Sequence, residues 1–190
     1  MYNLHSILIQ LKKEDTPLHG VMVRCVRCFY QWLDPTLWEG SALFELWAQE
    51  LELIYGDLRQ RLSPNAKTDA GSLGDRFGFD TPPELPRLLQ SIQTFYSVLI
   101  KLIAWNTLRG ATPEPPLTEL LSGRAFVNRG IRNFCGDDWY IWPLDIWDPA
   151  LETQCEELRA CLESFDTCPE GSTLSPDSLS RIYETVVPPA

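Results

Sequence analysis

A chain of 190 residues suits one domain and is long enough to bury a substantial core. Its 44% hydrophobic and 22% charged content is that of a globular protein and argues against wholesale disorder. A net charge of -10 argues against autonomous nucleic-acid binding, which rests on Lys and Arg displacing counterions from phosphates.

The charge is uneven. Residues 1–112 carry 12 acids and 11 bases, whereas residues 113–190 carry 14 acids and 5 bases. Six cysteines and the lack of a secretory pattern in MYNLHSILIQLKKEDTP read as reduced thiols in a cytoplasmic protein. The best apolar stretch, 98–105, contains Lys101 and falls short of the roughly 20 residues needed to cross a bilayer, so no membrane association is expected.

Residues 1–11 fit a short helix or a strand equally well. Over 20–33 the apolar set Met22, Val26, Phe29 and Leu33 recurs at steps of three and four, which predicts a helix. Asp34-Pro35 reads as a stop followed by a new helix cap. The next helix is predicted over 41–55, with Phe44, Trp47, Leu51 and Ile54 on one face and Gly56 at its end. Residues 63–84 mix Gly, Pro, Ser and Asp without a period, and the span 57–84 reads as a mobile, exposed loop within a single helical domain of residues 1–190.

Residues 86–109 form the expected spine. From Phe95 to Trp105 apolar side chains run around the whole circumference, so other helices must cover this one. After the proline-rich connector 112–116, a turn or two of helix is expected over 117–121, and a short helix or irregular segment over 126–134. The aromatic cluster Trp139, Tyr140, Trp142, Trp147 follows, and Asp148-Pro149 opens a helix with Leu151, Cys155, Leu158, Leu162 and Phe165 on one stripe. Ser175-Pro176 opens the last helix, which carries Leu179, Ile182, Tyr183, Val186 and Val187 at helical spacing. The fold class is all-α: an irregular multi-helix bundle around the buried helix at 86–109.

Reactive chemistry is sparse. Cys25 and Cys28 have the spacing of half a zinc site, but Cys135, Cys155, Cys161 and Cys168 supply no second such pair, and on a helix face they read as small apolar residues. His5 and His19 stand near no nucleophile motif and read as surface residues. Gly71, Gly74 and Gly78 match no nucleotide-binding fingerprint. Asp137, Asp138, Asp145 and Asp148 read as solvated acids beside packed rings, with Asp148 a helix cap. Lys101 in the spine requires either a carboxylate partner from the 137–145 region or a stem along the core with its head in water. No catalytic residue, cofactor or metal ligand is assigned.

The order of segments carries a resemblance. LFELWAQELELIYG at 43–56, FYSVLIKLIAWNTL at 95–108, RGIRNFCGDDWYIWPLDIWDPAL at 129–151 and LSPDSLSRIYETVVP at 174–188 resemble the helical region that precedes the catalytic domain in N-6 adenine DNA methyltransferases of restriction-modification and related defence systems. The matching positions are Gly130, Ile131, Asn133, Phe134, Trp142, Leu144, Trp147 and Asp148, then Ile182, Tyr183, Val186, Val187 and Pro188. The family's Asn/Asp-Pro-Pro-Tyr/Phe motif, which holds a flipped adenine, is missing from the sequence: Thr81-Pro82-Pro83-Glu84 has neither the amide or acid nor the aromatic.

The resemblance implies a non-catalytic helical module that docks to the methyltransferase catalytic domain or to another restriction-modification subunit and meets DNA only indirectly. Leu179, Ile182, Tyr183, Val186 and Val187 are the expected partner-binding stripe, left as an uncovered apolar patch in the isolated chain. The alternative is a free-standing acidic regulator or DNA mimic. A small enzyme is the least favoured class, since no acid/base, nucleophile or metal constellation stands out.

Overall fold

In the computed structural model, which describes residues 4–34, 44–49, 73–108, 112–135, 140–164 and 176–186, the apolar periodicities become helices, and the described residues contain no strand. Helix α1 (Leu4–Lys12) leads through a turn into α2 (Pro17–Trp32). Thr16 caps α2 by accepting from His19 N at 3.4 Å, and Pro17 takes the first helical position, where a missing N–H costs nothing. The helix therefore starts three residues before the expected position. Met22, Val26, Phe29 and Leu33 are all buried.

At the far end of α2, Arg87 donates to Tyr30 O at 2.6 Å and Gln31 O at 3.2 Å. Asp34 pairs with Arg87 at 3.5 Å. Pro35 lies outside the described residues, as does most of the predicted helix 41–55. The described part, 44–49, is helical, with Trp47 buried and Phe44 stacked on it.

The central helix α3 (Leu85–Leu108) has α2 and three further helices, α4 (Leu117–Leu121), α6 (Pro149–Glu163) and α7 (Pro176–Val186), packed against it. Leu88, Ile92, Phe95, Leu99, Leu102, Ile103 and Trp105 are buried along one broad stripe of it, each contributing roughly 1.5–3 kcal/mol, while Leu89, Tyr96, Ile100 and Ala104 on another face are half-buried. Among the described residues α3 alone is long and apolar enough to cross a membrane, but 72% of that stretch is buried inside the chain, the pattern of a core helix.

Helix α6 packs on α2 in the most extensive pair among the described helices. Asp148 caps it, accepting from Leu151 N at 2.8 Å, and the stripe Leu151, Cys155, Leu158 and Leu162 is buried as expected. Phe165 lies outside the described residues.

Between α4 and α6 the chain folds tightly. Gly123 (φ +80°) joins α4 to the short α5 (Arg124–Val127), and a Cβ on it would lie 2.0 Å from Phe134 O. Helix α5 closes with Gly130 at φ +77°: Ile131 N donates to Phe126 O and Gly130 N to Val127 O, the paired bonds of a left-handed helix terminus. The ambiguous segment 126–134 thus resolves into one helical turn and a reversal.

Over 73–84 the exposed-loop expectation holds at Asp75, Gly78, Glu84 and 80–82 and is corrected at 73–74, 76–77 and Pro83. Residues 73–76 form a helical turn, Phe77 is completely buried and Pro83 is buried too. Arg27 donates to Gly78 O at 2.7 Å, and Phe79 meets Tyr30 edge-on at 4.8 Å. Isolated aromatics anchor this stretch without leaving a periodic signal. Residues 57–72 lie outside the described residues.

Candidate functional site

Helix α3 carries a polar strip through the core: Gln90, Gln93, Thr94 and Lys101 are all buried. The segment from Tyr140 through the 3-10 turn Trp142–Leu144 closes over this strip. Tyr140 donates its hydroxyl to Gln93 Oε1 at 2.6 Å, and Trp142 Nε1 donates to Thr94 Oγ1 at 2.9 Å. Buried polar groups need such partners, because an unmade bond costs the full desolvation of the group. Trp142 also meets Phe29 of α2 edge-on at 5.9 Å, so one residue joins α2 and α3.

Lys101 is 2% exposed, which corrects the expectation of a head in water. Its described bond runs to Leu121 O at 2.8 Å, a carbonyl at the end of α4 that the helix itself leaves without an intrahelical donor. Residues 137–139 lie outside the described residues, and Asp145 is exposed. The crevice beside Lys101, lined by Ser97, Val98, Leu121, Tyr140 and Pro143, is too narrow to admit a water molecule.

The thiols of Cys25, Cys28 and Cys155 are held toward their protonated form. Burial between α2 and α6 pushes Cys155 up to about 12 and raises Cys25 well above the ordinary range. Cys28 is pushed up to about 11, first by burial and then by the Asp148 carboxylate. A thiol so raised is a poor nucleophile near neutral pH. Among the described residues no group of three or more His, Cys, Asp or Glu is placed to hold a metal ion. Cys168 lies outside them.

His19 corrects the surface expectation. It is 6% exposed in the first turn of α2, and its pKa is lowered by burial and then by the Arg76 guanidinium. Arg76 in turn donates to Thr185 O at 2.5 Å, tying the 73–78 turn to α7. The side chain of His5 lies outside what is described.

The residues of the resemblance serve as structural joints. Gly130 makes the left-handed turn, Phe134 packs on Phe126 at 4.6 Å, Trp142 locks onto Thr94 and Asp148 caps α6. Ile131, Leu144 and Trp147 are half-buried against the core, and Asn133 is exposed.

The expectation of an uncovered apolar patch is corrected at Ile182 and Val186. Ile182 and Val186 are 0% exposed, and Tyr183 meets Tyr96 of α3 edge-on at 5.2 Å. Helix α7 packs on α1 and α3, so these side chains are covered by the chain itself and form no open patch. The Leu179 side chain, Val187 and Pro188 lie outside what is described.

Open apolar surface lies elsewhere. Leu108 at the end of α3 and Val127 at the end of α5 are exposed. Arg129 links these two ends, donating to Leu108 O at 3.1 Å and to Thr112 Oγ1, with its guanidinium over the Trp105 ring, which meets Phe126 of α5 edge-on. Arg124, Arg129 and Arg132 are exposed around this junction. The available sequence signal was three arginines in nine residues, with no acid among them, inside the acidic half.

No protein-family model, curated protein or solved structure matches the chain.

Proposed function

We propose that this chain is a non-catalytic helical module of an adenine-specific DNA methyltransferase or restriction-modification system, acting by docking to the catalytic part or to a partner subunit. The carrying observation is the use made of the aromatic-acidic segment on which the resemblance rests. Three of its described polar side chains are spent inside the fold: Tyr140 on Gln93, Trp142 on Thr94 and Asp148 on the first turn of α6. A segment so committed braces helices, which is what a scaffold needs.

The DNA-mimic alternative requires a free ridge of carboxylates. Glu157 instead pairs with Arg24 at 2.7 Å, and Glu156 and Glu114 both pair with Arg159. Glu119, Asp145, Glu152 and Glu184 are exposed, so those pairings thin such a ridge without abolishing it.

The test is capture of the tagged full chain from native lysate, followed by mass spectrometry and a methylation assay on the eluate. Stoichiometric recovery of an adenine methyltransferase chain, with activity that depends on this protein, is expected. Recovery of the protein without any methyltransferase or restriction subunit would overturn the proposal.

A further inference from the structure

We infer that the junction formed by Leu108, Val127, Arg124, Arg129 and Arg132 is a docking surface for an acidic segment of a partner protein. The inference rests on the docking role just proposed and moves it away from α7, where Ile182 and Val186 are buried within the chain.

The geometry is preset. The reversal at Gly130 brings Ile131 N back to Phe126 O at 3.1 Å, so Arg124 and Arg132 emerge from one closed turn. Arg129 is held by Leu108 O, Thr112 and the Trp105 ring, and it fixes this turn to the end of α3. An Arg side chain on a rigid support loses less freedom on binding than one on a loose loop.

Charge complementarity selects the occupant. Three of the five bases in residues 113–190 gather here. The guanidinium fork matches a carboxylate in bidentate fashion. Leu108 at 36% and Val127 at 44% exposure add apolar surface at the helix ends that carry the arginines, and a mixture of Arg and aliphatic groups suits a protein partner. The net charge of -10 opposes any anionic ligand alike, and what separates the two is that a phosphate backbone would gain nothing from those aliphatic groups.

The experiment uses the full chain and a fluorescein-labelled synthetic peptide in which glutamates alternate with leucines, read by fluorescence anisotropy. A short DNA duplex serves as the second probe. Wild type should bind the peptide saturably, more weakly as salt rises, and more tightly than it binds the duplex. The Arg124→Glu/Arg132→Glu variant should lose at least about tenfold in affinity, since like charges now face the ligand, while its thermal melt stays unchanged because both side chains are exposed. Equal affinity of the variant, tighter binding of the duplex, or no saturable peptide binding would each overturn the assignment. Capture of a methyltransferase chain by wild type and variant alike would sink this surface and leave the docking role standing. Failure of both captures would sink the role itself.

Discussion

Trp142 donates its indole N–H to Thr94 Oγ1 at 2.9 Å where neither residue meets solvent, and Thr94 in turn donates its hydroxyl to Gln90 O at 2.8 Å. One small hydroxyl thereby satisfies the indole N–H of the largest fully buried side chain among the described residues. Thr94→Val keeps the shape and removes the acceptor, leaving the indole N–H buried and unpaired. The expected loss is about 1–3 kcal/mol in urea unfolding. Thr94→Ser, which keeps the hydroxyl, should lose less, and equal losses would show that the bond does not matter.

Gly123 and Gly130 share a left-handed backbone and differ in their surroundings. A side chain at Gly130 meets open space, so Gly130→Ala should cost only the conformational strain, about 1–2 kcal/mol. At Gly123 the added Cβ would lie 2.0 Å from Phe134 O, a main-chain atom that cannot yield without moving the turn. Gly123→Ala should therefore be the more damaging by at least about 1 kcal/mol in parallel thermal melts.

The buried stripe of α7 makes a prediction opposite to that of an open interface. Ile182→Ala should destabilise the isolated chain by about 2–5 kcal/mol, because it leaves a cavity against α1 and α3. Chemical denaturation of the purified protein reads this directly. An unchanged midpoint would return α7 to the role of an uncovered docking face.

His19 ties stability to pH. Its folded pKa lies below the ordinary 6.5, by burial first and Arg76 second, so the unfolded chain takes up the proton more readily than the folded one. The contribution is fully present above pH 6.5 and is lost as pH falls through 6.5 toward the folded pKa. Replacing the residue, as in His19→Gln, should flatten the difference in unfolding free energy between pH 7 and pH 5. Matching slopes in the two proteins would refute the assignment.

The Cys28 thiol tests the α2–α6 interface. With its pKa pushed up to about 11, the thiolate at pH 8 is roughly a hundredfold scarcer than for a thiol at the ordinary 9.0. Iodoacetamide labelling followed by mass spectrometry should show Cys28 slow in the folded protein and fast in urea. Because the Asp148 carboxylate contributes, Asp148→Asn should speed the native labelling while leaving the residue slower than in urea, since burial remains.

Sequence by itself determined the helices whose apolar residues repeat at three and four: α2, α3, α6 and α7, with the proline-led starts at Pro149 and Pro176. It also implied that α3 must be enclosed, because a helix apolar on all sides has no stable face to offer water. Which neighbour covers which face was decided only in three dimensions. Period reports that Ile182 and Val186 need cover and is silent on whether a partner or the chain's own α1 supplies it. Phe77 carries no period at all, and its burial depends on contacts far away in sequence. The partners of Trp142 and Lys101, 48 and 20 residues distant, belong to the same class, since hydrogen bonds inside a core are set by packing geometry and leave no trace in local spacing.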